Sequence, residues 1–142
     1  MKNSGDILNS IIDTTQMGQS GIKSVLDRPM NPALYQELVS QMQEYAQIES
    51  GARRLLQDRK LPAKKGSTSP IPGAKLMARA RLATGNANSK IAGMMIQGNT
   101  RGMILGLRNM HQYSGADPDV CTLSQRLLDT ETANIRQMKP YL

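Results

Sequence analysis

Two pairs of polar residues with helical spacing are the strongest candidates for chemistry in this sequence. Gln41 and Glu44 stand three residues apart, and so do Glu131 and Asn134. Residues three apart share one face of a helix, so their side chains can converge on one interior point. Carboxylate and amide oxygens can bind a hard divalent cation, or they can bond one another in a buried polar network.

Glu131 is the most unusual of these residues because it interrupts an apolar stripe. The stripe comprises Leu127, Met138 and Leu142, with Leu128 and Ile135 alongside. A carboxylate buried without a partner is costly, so it needs a partner, a proton, a metal or an exposed environment. We predict that Glu131 is substantially buried and bonded to an amide or hydroxyl of another helix.

Apolar residues spaced by threes and fours predict four long helices that must position these pairs. The helices are expected at about residues 4 to 26, 32 to 60, 90 to 113 and 118 to 139. Ser4 with Asp6 is expected to cap the first, and Asn31 before Pro32 to cap the second. Sustained two-residue alternation is missing from the sequence, which indicates an all-α fold.

The predicted helices pair into two hairpins, at about residues 4–60 and 90–142. Residues 61–89 form a linker whose Pro-, Ser- and Lys-rich first half, Leu61 to Gly73, is unsuited to a helix interior. Its second half contains a short basic helix, Ala74 to Ala83. We therefore expect a single domain of residues 1–142, a four-helix bundle with a crossover linker.

Aligning the two hairpins as a weak internal repeat places polar side chains at the same level of all four helices. Gln41 aligns with Glu131, and Glu44 aligns with Asn134. The expected polar core layer consists of Gln19, Gln41, Glu44, Thr100, Glu131 and Asn134, flanked by Gln16 and Gln97.

The chain resembles the ferritin-like superfamily, in which such a bundle binds two metals through Glu from two helices and Glu-x-x-His from the other two. The pairs Gln41-x-x-Glu44 and Glu131-x-x-Asn134 occupy the places of those motifs. The segments around Tyr45, around 95–100 and over 131–142 also resemble uncharacterised ferritin-like proteins of clostridia, a group akin to spore-coat-type members. The resemblance implies a ferritin-like bundle in a bacterial protein.

The departures from the ferritin-like pattern decide the expected chemistry. Both motif histidines are replaced, and Glu44 and Glu131 are the only anionic members of the layer. Redox iron chemistry needs more anionic and imidazole ligands. We therefore expect a non-catalytic structural or interaction protein with a polar core network, no cofactor and no catalytic residue. The alternative is a weak metal-binding protein that holds one divalent ion with Glu44 and Glu131.

A basic segment offers a second alternative function. The chain has a net charge of +7, and the segment from Arg53 to Arg81 alone carries +8, with Asp58 as its one acidic residue. This segment is either a solvated linker or a module that binds nucleic acid or another anion. Its basic residues are Arg53, Arg54, Arg59, Lys60, Lys64, Lys65, Lys75, Arg79 and Arg81.

The third predicted helix has two apolar sides. Thr100, at the level of the polar layer, lies on the side that carries Ile96, Met103 and Leu107. The opposite side carries a ladder of small residues, Gly98, Gly102 and Gly106. Glycine in a helix interior costs about 0.5–1 kcal/mol relative to Ala, so a close approach by another element is expected. The ladder is either a homodimer seam or is covered by Ala74 to Ala83.

The remaining candidates favour structural roles in a cytoplasmic protein. His111 is expected near the end of the third helix, and Cys121, the single cysteine, near the start of the fourth. The sequence shows no evident signal peptide, and its longest apolar stretch, Ile91 to Leu107, is broken by polar residues. These features favour a reducing cytoplasm, while the clostridial resemblance adds spore association.

Overall fold

The computed structural model describes residues 1–64 and 87–142, which form four α-helices and no strand. They are α1 (Ser4–Lys23), α2 (Pro32–Asp58), α3 (Ala87–Gln112) and α4 (Pro118–Met138), followed by a 3-10 turn, Lys139–Tyr141. The predicted all-α fold is confirmed. The predicted short helix from Ala74 to Ala83 lies outside the described residues.

Local side-chain chemistry explains where the helices begin. The Asn31 side chain accepts a hydrogen bond from the Ala33 backbone, and Pro32 occupies the first turn of α2, as predicted. In α1 the cap is Asn3 rather than Ser4, because Asn3 and Asp6 exchange the two hydrogen bonds of a capping box. Asp117 caps α4 by accepting from the Asp119 backbone.

The helices form two hairpins, α1 with α2 and α3 with α4, which pack together mainly through α2 and α4. Contacts between α1 and α3 are sparser, so space is left between these two helices. The core is built from apolar side chains that recur at helical spacing. Its fully buried members include Leu8, Ile22, Leu34, Leu38, Ile48, Ile91, Val120 and Met138.

The face of α3 that packs on the core differs from the predicted one. Thr100 and Leu107 are exposed, and the buried face carries Ile91, Ala92, Met95, Asn99, Gly102 and Asn109. Apolar spacing predicts that the side of α3 with the larger apolar side chains faces the core. In the structure the side that carries Gly102 faces the core instead, because a residue without a Cβ lets α4 approach closely.

Two rungs of the glycine ladder belong to this contact within the chain. A Cβ added to Gly102 would collide with the Glu131 carboxyl, and one added to Gly106 would lie 3.1 Å from Leu128. A Cβ on Gly98 would meet no atom within 4 Å. Gly102 is buried within the chain, so it does not belong to the predicted homodimer seam along this ladder. The alternative cover, Ala74 to Ala83, lies outside the described residues.

The assignment of the buried face of α3 can be tested with two identical substitutions in that helix. Ile91 is 1% exposed and Ile104 is 46% exposed. We expect Ile91→Ala to lower the free energy of unfolding by about 2–5 kcal/mol, because it leaves a cavity in the core. Ile104→Ala should change it by less than about 1 kcal/mol. Urea denaturation measures both, and a larger loss for Ile104→Ala would contradict the assignment.

Candidate functional site

Three polar side chains form a closed hydrogen-bonded network in the core between α2, α3 and α4. The Tyr45 hydroxyl donates to Asn99 Oδ1 at 2.7 Å. The Asn134 amide donates to the same oxygen at 3.1 Å and to the Tyr45 hydroxyl at 3.3 Å. The Asn99 amide donates to the Met95 carbonyl at 2.8 Å. Each of the three side chains therefore has at least one hydrogen-bond partner within the network.

Only part of the predicted polar layer lies in the core. Gln41, Glu131 and Asn134 are buried, and Tyr45 and Asn99 join them without having been predicted as members of the layer. Asn99 could have been found from the sequence, since it lies four residues after Met95 and three before Gly102. Because apolar spacing predicts that the opposite face of α3 packs on the core, Asn99 is not expected to be buried.

The other predicted members lie toward the surface. Gln19 donates to Glu49 at 2.9 Å, and Gln16 also bonds Glu49. Thr100 is exposed and bonds the Ile96 carbonyl of its own helix. The exposed Gln97 lies at the rim of a cavity described below. A repeat alignment predicts the level of a residue along its helix and does not determine which way its side chain faces.

Glu44 is also outside the core. Its carboxylate accepts a hydrogen bond from Arg126 Nε at 2.9 Å, on the outer side of α2 and α4. Within residues 1–64 and 87–142, no group of three or more His, Cys, Asp or Glu is arranged to hold a metal ion. The predicted metal-binding pair is therefore separated, since Glu131 faces the interior and Glu44 pairs with Arg126.

Glu131 is as buried as predicted, with 1% of its surface exposed. Its carboxyl lies against Gly102. The predicted bond to an amide or hydroxyl is wrong, because the nearby amides bond each other, and Oε2 has no partner among the described residues. Burial raises the pKa of Glu131 to about 8, so the carboxyl is mainly neutral at pH 7.

Glu131 lies at the base of a cavity of about 580 Å³ between α1 and α3. Apolar side chains of both helices form its walls, among them Met17, Ile22, Met94, Met95, Ile96 and Leu105. Gln97, Gly98 and Arg101 line it from exposed positions, so they form its rim. The buried residues Gln41, Tyr45, Asn99 and Glu131 form its floor.

Gln41 supplies a second polar atom without a partner at this floor. Its Nε2 donates to Gln137 Oε1 at 3.1 Å, which leaves its own carbonyl oxygen, Oε1, buried and unbonded. Gln41 and Glu131 both line the cavity, and each has one buried side-chain oxygen, Gln41 Oε1 and Glu131 Oε2, without a partner among the described residues. Unsatisfied buried polar atoms are uncommon in folded proteins, and a bound molecule is one explanation for them.

The network and the carboxyl are electrostatically linked. Burial, and then the negative charge of an ionised Glu131, raise the pKa of the Tyr45 hydroxyl far above its usual range, against a smaller opposing effect of Asn134. Tyr45 consequently stays protonated and acts as a hydrogen-bond donor to Asn99. The floor combines a permanently neutral network with one carboxyl that can ionise.

The described part of the basic segment is largely engaged within the chain. Arg59 bonds Asp117 and Asp119, which joins the end of α2 to the start of α4. These hydrogen bonds raise the pKa of Arg59 and lower that of Asp117. Arg53 pairs with Glu49, and Lys64 with Asp6 at 3.8 Å.

Arg54 and Lys60 are the exposed members of the segment for which no ion pair is seen among the described residues. Lys65, Lys75, Arg79 and Arg81 lie outside the described residues. Arg59 is bonded to Asp117 and Asp119, so the anion-binding hypothesis depends on the other basic residues of the segment. His111 and Cys121 are both exposed and border no part of the cavity.

The fold of this chain is similar to that of a solved structure. No protein-family model matches the chain, and no curated protein matches it. A solved structure described as a DUF305 fragment from Deinococcus radiodurans is similar, with a TM-score of 0.77 and 12% sequence identity. The match covers 96% of this chain and 93% of that one. At this identity the likeness shows the helical fold alone.

Among the helices of residues 1–64 and 87–142, none combines the length and the apolar character that a membrane span requires.

The raised pKa of Glu131 predicts how stability depends on pH. The carboxyl ionises near 4.5 in the unfolded chain and near 8 in the folded protein, so folding takes up a proton between these values. Its contribution is greatest below pH 4.5 and is lost as the pH rises to about 8. Between pH 5 and pH 8 we expect the wild type to lose about 3 kcal/mol of stability relative to Glu131→Gln.

Urea denaturation of both proteins at the two pH values measures this difference. The Gln variant keeps the side-chain shape and has no proton to lose, so it serves as the matched reference. Parallel pH profiles for the two proteins would mean that Glu131 is ionised in the folded state.

Proposed function

We propose that this chain is a non-catalytic interaction protein of ferritin-like descent that binds a small, largely apolar molecule in the cavity between α1 and α3. The observation that carries the proposal is the pair of buried, unbonded polar atoms at the floor of that cavity. Both residues line the cavity, so a molecule that fills it would contact them.

The dimensions and lining of the cavity support this proposal. Small-molecule sites are usually clefts of about 300–1,000 Å³ with apolar walls and a few placed polar groups. The cavity here has about 580 Å³, methionine, isoleucine and leucine walls, and polar groups at its base. Methionine side chains adapt to ligands of different shape.

The lining favours binding over catalysis. General acid–base or nucleophilic chemistry usually places a second reactive group within hydrogen-bond reach of the first. Among the described residues, Glu131 shares the cavity lining with no histidine, no cysteine and no second carboxylate. Tyr45 stays protonated and is held by Asn99 and Asn134.

Ferritin-like descent rests on the two-hairpin bundle and on the positions of Gln41, Glu131 and Asn134 near the expected metal layer. The metal-binding alternative is weakened by the ion pair of Glu44 with Arg126. The anion-binding alternative is weakened by the internal contacts of Arg59 and depends on residues outside the described ranges.

Binding of Nile red, a neutral apolar dye, tests the proposed cavity. We expect a saturable rise in its fluorescence at one site per chain. Gly98→Leu should weaken binding by at least about tenfold, because Gly98 borders the cavity and its Cβ direction is open. The added side chain would occupy space at the rim, and its Cβ would displace no neighbour.

Gly93→Leu is the matched control, since Gly93 lies in the same helix and is not part of the cavity lining. It should leave the affinity for Nile red unchanged. Equal affinity of the wild type and both variants would place the dye elsewhere and overturn the proposed site.

A further inference from the structure

We infer that the molecule bound in this cavity is a primary amine with an apolar tail, whose ammonium group contacts Glu131 and Gln41 at the floor. This inference rests on the proposed function. It follows from the type of polar atom that the floor leaves free, from the charge of the site and from the character of the walls.

Gln41 Oε1 and Glu131 Oε2 lack partners, while the amide nitrogens of Gln41, Asn99 and Asn134 are all engaged. Gln41 Oε1 is an acceptor, and the Glu131 carboxyl is an acceptor at both oxygens once it has ionised. A ligand complementary to the ionised site must therefore donate hydrogen bonds. An ammonium group carries three N–H donors, whereas a hydroxyl carries one and a quaternary ammonium none.

Charge strengthens the preference for a cation. An ionised Glu131 has no internal cation against it, since the charged and titratable groups that share the cavity lining are Tyr45 and Arg101. Tyr45 is a neutral donor to Asn99, and Arg101 is exposed at the rim. A bound ammonium supplies the missing partner for the buried carboxylate.

The walls suit the rest of such a molecule. Methionine, isoleucine and leucine side chains would remove an alkyl tail from water. The ligand class is thus a primary alkyl- or arylalkylamine, with its charged end inward and its tail toward the α1–α3 opening.

Binding must release a proton. In the free protein at pH 7 the carboxyl is mainly protonated, because its pKa is about 8. The incoming ammonium keeps its own protons, and the carboxyl gives one proton to the solvent to form the ion pair. From the ratio of the two forms, about 0.9 proton is released per amine at pH 7 and about 0.1 at pH 9.

Calorimetric titration with four matched compounds tests the inference: hexylamine, hexan-1-ol, hexanoate and trimethylhexylammonium. Repeating the hexylamine titration in two buffers of different ionisation enthalpy measures the proton release. We expect hexylamine to bind at least about tenfold more tightly than the other three. The released protons should decline from pH 7 to pH 9.

Glu131→Gln is the decisive variant. It should lose the preference for hexylamine and the proton release while retaining Nile red, which reports that the cavity is intact. Equal binding of the alcohol and the amine, or an unchanged preference in this variant, would overturn the inference and leave the proposed binding site standing. Failure of every compound and of Nile red to bind would instead overturn the proposed function itself.

Discussion

The organisation of this core depends on a shortage of hydrogen-bond donors around one buried carboxyl. Tyr45, Asn99 and Asn134 satisfy one another in a closed network, so no amide is left for Glu131. A carboxyl in that position avoids the cost of a buried charge by keeping its proton. Its neutral form follows from this constraint.

The packing of α3 determines where that open space lies. Gly102 lets α3 approach α4 closely enough for the Glu131 carboxyl to fill the space of a missing side chain. The same contact holds α3 on α4, and the sparse packing between α3 and α1 leaves the cavity open. The cavity is therefore a product of how the two hairpins meet.

The sequence predicts the helices well because caps and apolar spacing are local signals. Asn31 and Pro32 begin α2 where expected. It predicts the burial of Glu131 for the same reason. The face of α3 could not be chosen from spacing, since Thr100 and Gly102 lie on opposite, similarly apolar sides and only the close approach of α4 distinguishes them. The contacts of Glu44 and Glu131 depend on neighbouring helices, which a single stripe does not reveal.

Glu131 is a neutral, unpaired carboxyl in the lining of a cavity. Its protonation can be followed through the side-chain carboxyl carbon by NMR as a function of pH in the free protein. We expect an apparent pKa of about 8. A value near 4.5, the ordinary one for glutamate, would contradict it, because the carboxylate would then be charged and satisfied within the folded chain.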